Sequence, residues 1–95
     1  VAVKGALASY TDVGTSMGFE KKGQDQDADF DGYQVNEELY SRAAPGAIVM
    51  HCMPMVRGKE ISEAMAEHPN AVLFKQSENR LHVQKALLVA LLERA

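Results

Sequence analysis

Three short apolar runs, separated by polar stretches of helical character, set the pattern of the chain. Residues 8–13, 47–51 and 71–74 are each of strand length. The middle run, Ala47-Ile48-Val49-Met50-His51, is apolar without alternation, as expected for a strand covered on both faces. It stops at Cys52-Met53-Pro54, and proline cannot extend a hydrogen-bonded ladder. Polar chemistry therefore falls at the strand's carboxyl end, the edge at which open α/β sheets bind ligands. Between the runs, Asn36 is placed to cap a helix over 36–43, with Glu37 and Glu38 in its first turn and Arg42 in its last. A second helix is predicted over 60–67, stopped by Pro69. The longest helical pattern covers 77–95, with Ser77 as its cap and Glu78 near its positive end. From 86 to 92 it is apolar nearly all round, the pattern of a helix packed between two bodies.

The opening residues, 1–6, carry neither an initiator Met nor a capping residue and read as the tail of a helix ended by Gly5. That beginning predicts a fragment. The order of elements predicts an α/β fold, a partial Rossmann-like parallel sheet with flanking helices, incomplete at its amino-terminal side. Gly14 to Gly18 form a glycine-bracketed loop suited to close backbone approach. Residues 19–31 are polar and acidic with no periodic apolar face, and no chemistry is assigned to them.

Composition narrows the function classes. A net charge of -3 gives no electrostatic footprint for nucleic acid. With 46% hydrophobic and 24% charged residues, the chain has the balance of an ordinary folded domain. Its length allows one domain and a modest core. No segment approaches the roughly 18 to 20 apolar residues of a membrane span. The single cysteine excludes an internal disulfide and a Cys-rich zinc site, and it is consistent with a reducing, cytoplasmic location.

The candidate chemistry follows the strand ends. Asp12 with the Ser16-Met17 loop, His51-Cys52, and Glu78-Asn79-Arg80 should converge on one sheet edge. Taken singly, each has a plainer reading: Asp12 capping a turn, Cys52 as an inert thiol beside a satisfied histidine, Arg80 pairing with a surface acid such as Glu20. A cysteine hydrolase using His51 and Cys52 fits poorly, because adjacent strand residues point to opposite faces. Dinucleotide binding is equally weak, with no Gly-x-Gly-x-x-Gly after a strand.

Together, these segments resemble a known family. Asp12-Val13-Gly14-Thr15-Ser16-Met17-Gly18 resembles the Asp-x-x-x-Ser-Met-Gly loop of ornithine carbamoyltransferases, His51-Cys52-Met53-Pro54 their His-Cys-Leu-Pro motif, and Glu78-Asn79-Arg80 the Glu-Asn-Arg that opens their last long helix. Gly32-Tyr33-Gln34-Val35 matches between them. The resemblance covers essentially all 95 residues. It implies that Asp12, Ser16 and Met17 hold ornithine, that Cys52 is the catalytic-site thiol, and that Cys52, Met53 and Arg80 meet carbamoyl phosphate, with His51 a minor candidate. In the family, the δ-amine of ornithine attacks carbamoyl phosphate and phosphate leaves, giving citrulline without metal or organic cofactor. A thiol beside that amine suits positioning and proton acceptance better than covalent catalysis.

Two residues depart from the family pattern. Gly14 replaces an aromatic residue, often Trp, and Met53 replaces Leu, a near volume-conserving change. Ser16-Met17-Gly18 favours ornithine over putrescine or acetylornithine. The family's Ser-x-Arg-Thr phosphate loop is absent from these residues, so the isolated chain is expected to be inactive; a non-catalytic oligomerising or binding fragment is the alternative of a different class. The resemblance further implies a homotrimeric two-domain parent. In it, residues 1–76 belong to the ornithine-binding domain, and 77–95 form a helix packed back on the carbamoyl-phosphate domain.

Overall fold

The computed structural model describes residues 2–14 and 32–94. Its elements run β1 (Ala8–Thr11), α1 (Glu37–Ser41), β2 (Ile48–His51), α2 (Glu63–Ala66) and α3 (Leu73–Glu93). The predicted Ser16-Met17 loop and the acidic stretch at 19–31 lie outside the described residues.

The two strands pair in parallel, with Ala8 opposite Ile48 and Thr11 opposite His51. Parallel pairing puts both carboxyl ends on one edge, which is what the sequence pattern requires. Along β2, Val49 and His51 are buried while Ile48 and Met50 are less covered. The alternation arises because successive side chains leave opposite faces of a strand.

Helix α1 starts as expected. The Asn36 side chain accepts from the Leu39 N–H at 2.9 Å, and Arg42 reaches back to Glu38 at 3.1 Å. Helix α2 is shorter than the predicted 60–67, because Ser62 caps it and Ile61 is drawn into single parallel bridges with Val35 and Arg57. The opening residues form a turn over 2–5 rather than a helix tail, and Gly5 takes a positive φ of 71°.

The third apolar run departs from expectation. Only Ala71 pairs with the sheet, in a single parallel bridge to Val49, and the chain then enters α3 at Leu73. The backbone makes one exchange with β2, Val49 N–H to Asn70 O at 3.0 Å and Val72 N–H to Val49 O at 2.9 Å. Helical bonding begins at once, with Gln76 N–H donating to Val72 O at 2.8 Å. β-propensity loses here because Leu73 is fully buried only if the chain turns into the core at that point. Ser77 is thus inside α3 rather than its cap, and Val72 at the cap position makes no side-chain cap bond. Glu78-Asn79-Arg80 likewise fall in the second turn of the helix instead of opening it.

The core is small: Val35, Val49, Ile61, Met65, Ala66 and Leu73, with Leu39, Tyr40, Met53, Met55 and Ala71 packed on it. Among the described residues, its buried members all lie between 35 and 73. Tyr40 ties its flank together, donating to Ala47 O at 2.8 Å, accepting from Asn70 Nδ2 at 2.7 Å and facing the His68 ring at 4.8 Å. His68 is therefore a packed helix-end residue.

Beyond its first turn, α3 is exposed along its whole length. With 21 residues it extends roughly 31 Å. Leu81, Val83, Leu87, Leu88, Leu91 and Leu92 are all more than half exposed. The boundary expected between 76 and 77 falls inside this unbroken helix. Among the described residues, no helix is long and apolar enough to cross a membrane.

Candidate functional site at the carboxyl edge of the sheet

Two of the predicted residues meet directly. Asp12 lies one residue beyond β1 and Cys52 one beyond β2, and the Cys52 thiol donates to Asp12 Oδ1 at 2.9 Å. The Val13 N–H donates to the same oxygen at 2.7 Å. Both bonds converge on Oδ1, so Oδ2 has no hydrogen-bond partner among the described residues. Asp12 is exposed, and a cationic group can reach it.

The pairing polarises both groups. The thiol hydrogen bond, reinforced by the Val13 N–H, holds the Asp12 carboxyl below the usual carboxylate range. The same hydrogen bond, with partial desolvation second, pushes the Cys52 thiol above its ordinary value. At neutral pH, Cys52 is therefore a protonated donor. This geometry favours the positioning role expected of it and works against proton acceptance, since the thiolate is disfavoured beside a carboxylate.

On the other side of the strand lies a second polar cluster. His51 is fully buried, with Nε2 at 2.7 Å from Glu60 Oε1 and Nδ1 accepting from the Met53 N–H at 2.8 Å. Its backbone N–H donates to Gln76 Oε1 at 3.0 Å. The Val56 N–H also donates to Glu60 Oε1, at 2.7 Å. His51 and Cys52 thus face opposite environments, as strand alternation requires, and form no imidazole–thiol pair. Met53, half-buried against the core, takes a left-handed φ of 58°. That conformation turns the chain sharply after Cys52.

Arg80 does not join this cluster by any hydrogen bond or ion pair to another described residue. It is exposed in α3, four residues after Gln76, and i,i+4 positions share a helix face. Gln76 fastens that face to the end of β2, so Arg80 stands one turn further along the same side. Ser16 and Met17 lie outside the described residues. Among those described, no group of three or more His, Cys, Asp or Glu side chains is placed to hold a metal ion.

Sequence reasoning missed Glu60 and Gln76. Neither belongs to a periodic pattern, and Gln76 meets His51 across 25 residues. Glu60 follows Lys59 and Gln76 lies between Lys75 and Ser77, so neither stands out from its polar neighbours.

Comparison with known proteins identifies the family. Residues 1–91 match the family model described as aspartate/ornithine carbamoyltransferase, Asp/Orn binding domain. The chain is 52% identical over 91 residues to the ornithine carbamoyltransferase of Prochlorococcus marinus (strain MIT 9312), covering 96% of this chain and 30% of that protein. The anabolic ornithine carbamoyltransferase of Campylobacter jejuni superposes with a TM-score of 0.90 at 38% identity, covering 99% of this chain and 31% of that one. The Pyrococcus furiosus ornithine carbamoyltransferase gives 0.82 at 45% identity, covering 92% and 28%. The chain thus spans about three tenths of the length of the relatives it matches. With residues 1–91 inside the family match and relatives about half identical across nearly all of its length, the chain belongs to the aspartate/ornithine carbamoyltransferase family, within its Asp/Orn-binding domain.

Proposed function

We propose that this chain supplies the amino-acid side of an ornithine carbamoyltransferase, which moves the carbamoyl group of carbamoyl phosphate to the δ-amine of L-ornithine. The observation that carries the reading is the Asp12–Cys52 contact at the carboxyl edge of a parallel ladder, with Asp12 Oδ2 unbonded among the described residues. An ornithine α-ammonium docked on Oδ2 makes a charge-assisted hydrogen bond. Ser16 and Met17 complete the hold on the amino acid. Cys52 and Met53 flank the reacting centre, and Arg80 meets the phosphate of carbamoyl phosphate.

The reaction then proceeds with simple bookkeeping of bonds. The δ-amine, having lost a proton, attacks the carbonyl carbon, and a C–N bond forms as the carbonyl oxygen takes negative charge. Collapse of that oxyanion breaks the C–O bond to phosphate, and the proton given up by the attacking nitrogen leaves with the departing phosphate, yielding citrulline and inorganic phosphate. Positioning and charge stabilisation account for catalysis of this type. The remaining phosphate donors come from a carbamoyl-phosphate domain. The exposed apolar length of α3 supports packing of residues 77–95 on that domain, within a homotrimeric cytoplasmic enzyme.

The test is citrulline formation by the full-length protein with ornithine, acetylornithine or putrescine as acceptor. Ornithine is expected to be the preferred substrate. Asp12→Asn should raise the ornithine KM by about 10- to 100-fold, the equivalent of about 1.5–3 kcal/mol for a hydrogen bond to a charged group. Preference for another amine would replace ornithine in this reading. No turnover with any amine would leave a non-catalytic, oligomerising role.

A further inference from the structure

The buried face of β2 holds a titratable pair that the transfer reaction does not touch. His51 is fully buried, and the Glu60 side chain is only 8% exposed. Burying an imidazole and a carboxylate is unfavourable unless both are hydrogen-bonded, and here both are. The Met53 N–H donates to Nδ1, so in the neutral ring that nitrogen carries no proton and Nε2 does. Nε2–H then donates to Glu60 Oε1, which also accepts from the Val56 N–H. One carboxylate oxygen therefore fixes the ring's tautomer and tilt while tethering the 55–58 loop.

The ring in turn fixes the backbone. Met53 follows Cys52 with a φ of 58°, a region that L side chains rarely adopt. The bond from its N–H to His51 holds it there. A leucine at position 51 could fill the same space but could not accept that hydrogen bond. We infer that Glu60 is a positioning residue, holding the His51 ring so that the Cys52-Met53 turn presents the Cys52 thiol to Asp12.

The functional side of this inference rests on the ornithine carbamoyltransferase reading above, whereas its structural side can be read without turnover. The test uses the full-length protein and four variants. Glu60→Gln keeps a carbonyl oxygen able to accept both bonds, and Glu60→Ala keeps none. His51→Asn keeps an acceptor near the Nδ1 position for the Met53 N–H. His51→Gln keeps only a donor toward Glu60. Each is measured for kcat and KM, for thermal unfolding, and for the rate of iodoacetamide alkylation at Cys52 followed by peptide mass spectrometry.

Glu60→Ala and His51→Gln should lower kcat by about tenfold or more, the scale of a small misplacement at a reacting centre. They should also alkylate Cys52 several-fold faster, because a thiol released from Asp12 ionises more readily. Glu60→Gln should restore most of the turnover lost in Glu60→Ala, and His51→Asn should exceed His51→Gln. The inference is overturned if Cys52 alkylates at the wild-type rate in both Glu60→Ala and His51→Gln, or if kcat follows thermal stability across the four regardless of which bond is kept. Should Glu60→Ala not fold, the contrast between the two His51 variants decides. Absence of citrulline formation by the wild-type protein counts against the ornithine reading alone, because the alkylation rates still report on Glu60.

Discussion

Leu73 and Leu92 belong to one helix and live in opposite surroundings: the first is fully buried, the second 73% exposed. The amino-terminal turn of α3 is fastened twice, by Leu73 in the core and by Gln76 on the His51 N–H. The rest of the helix makes no such attachment to the other described residues, although its sequence is at least as apolar. Helical propensity alone does not explain 21 consecutive helical residues of this composition in water, since isolated helices owe most of their stability to a packed face. The difference teaches that burial along α3 is set by what packs on it and not by its sequence, which is apolar at both ends. Its first turn completes this domain, and its remainder offers an apolar surface of the kind that marks a protein interface.

The contrast can be broken most sharply with paired leucine truncations in the 95-residue chain. Leu73→Ala is expected to lower unfolding free energy by about 2–5 kcal/mol in denaturant titration. Leu87→Ala, on the exposed length, should stay within about 0.5 kcal/mol. Equal losses at both positions would mean that the carboxyl-terminal part of α3 is covered within the chain itself.

The second fastening is smaller. Gln76→Ala removes the acceptor of the His51 N–H at a buried strand end and is expected to cost about 1–3 kcal/mol by the same measurement. Loss of no stability would show the first turn of α3 to be held by Leu73 alone.

The least effect belongs to the open rim. The alkylation midpoint of Cys52 should lie above that of an unperturbed thiol, because Asp12 holds the proton on sulfur. Asp12→Asn should move it down toward the ordinary value, while Leu87→Ala leaves it unchanged. The accompanying stability change has a defined sign. A raised thiol contributes stability that is present below its unfolded value and is lost as pH rises through the folded one. The depressed Asp12 carboxyl contributes stability that is present above its ordinary range and is lost as pH falls through its folded value.

Much of this architecture was legible in the residues. The uninterrupted apolar run ending at Pro54 marked β2, Asn36 marked the start of α1, and the Asp12 and Cys52 positions at strand ends marked the site. Their signals are local, either in period or in capping chemistry. The run at 71–74 misled for a physical reason: its residues favour strands, but a single backbone exchange with Val49 suffices before Leu73 must turn inward. Arg80 was placed on the right helix but at the wrong depth in it. Glu60 and Gln76 were not legible at all, because their roles exist only once His51 has been brought beside them.

The core draws nothing from β1, since all its buried residues lie between 35 and 73. The Asp12–Cys52 contact, by contrast, closes a loop of 40 residues. Closing such a loop carries an entropic cost of roughly 3 kcal/mol, offset among the described residues by the short parallel ladder, its edge contacts and the backbone bonds of Gly5 and Ala6 to Arg42 and Ala44. The buried cluster and the sheet-edge contact therefore depend on different parts of the chain. Undocking β1 would leave every side chain of that buried cluster in place and yet dissolve the meeting of Asp12 with Cys52.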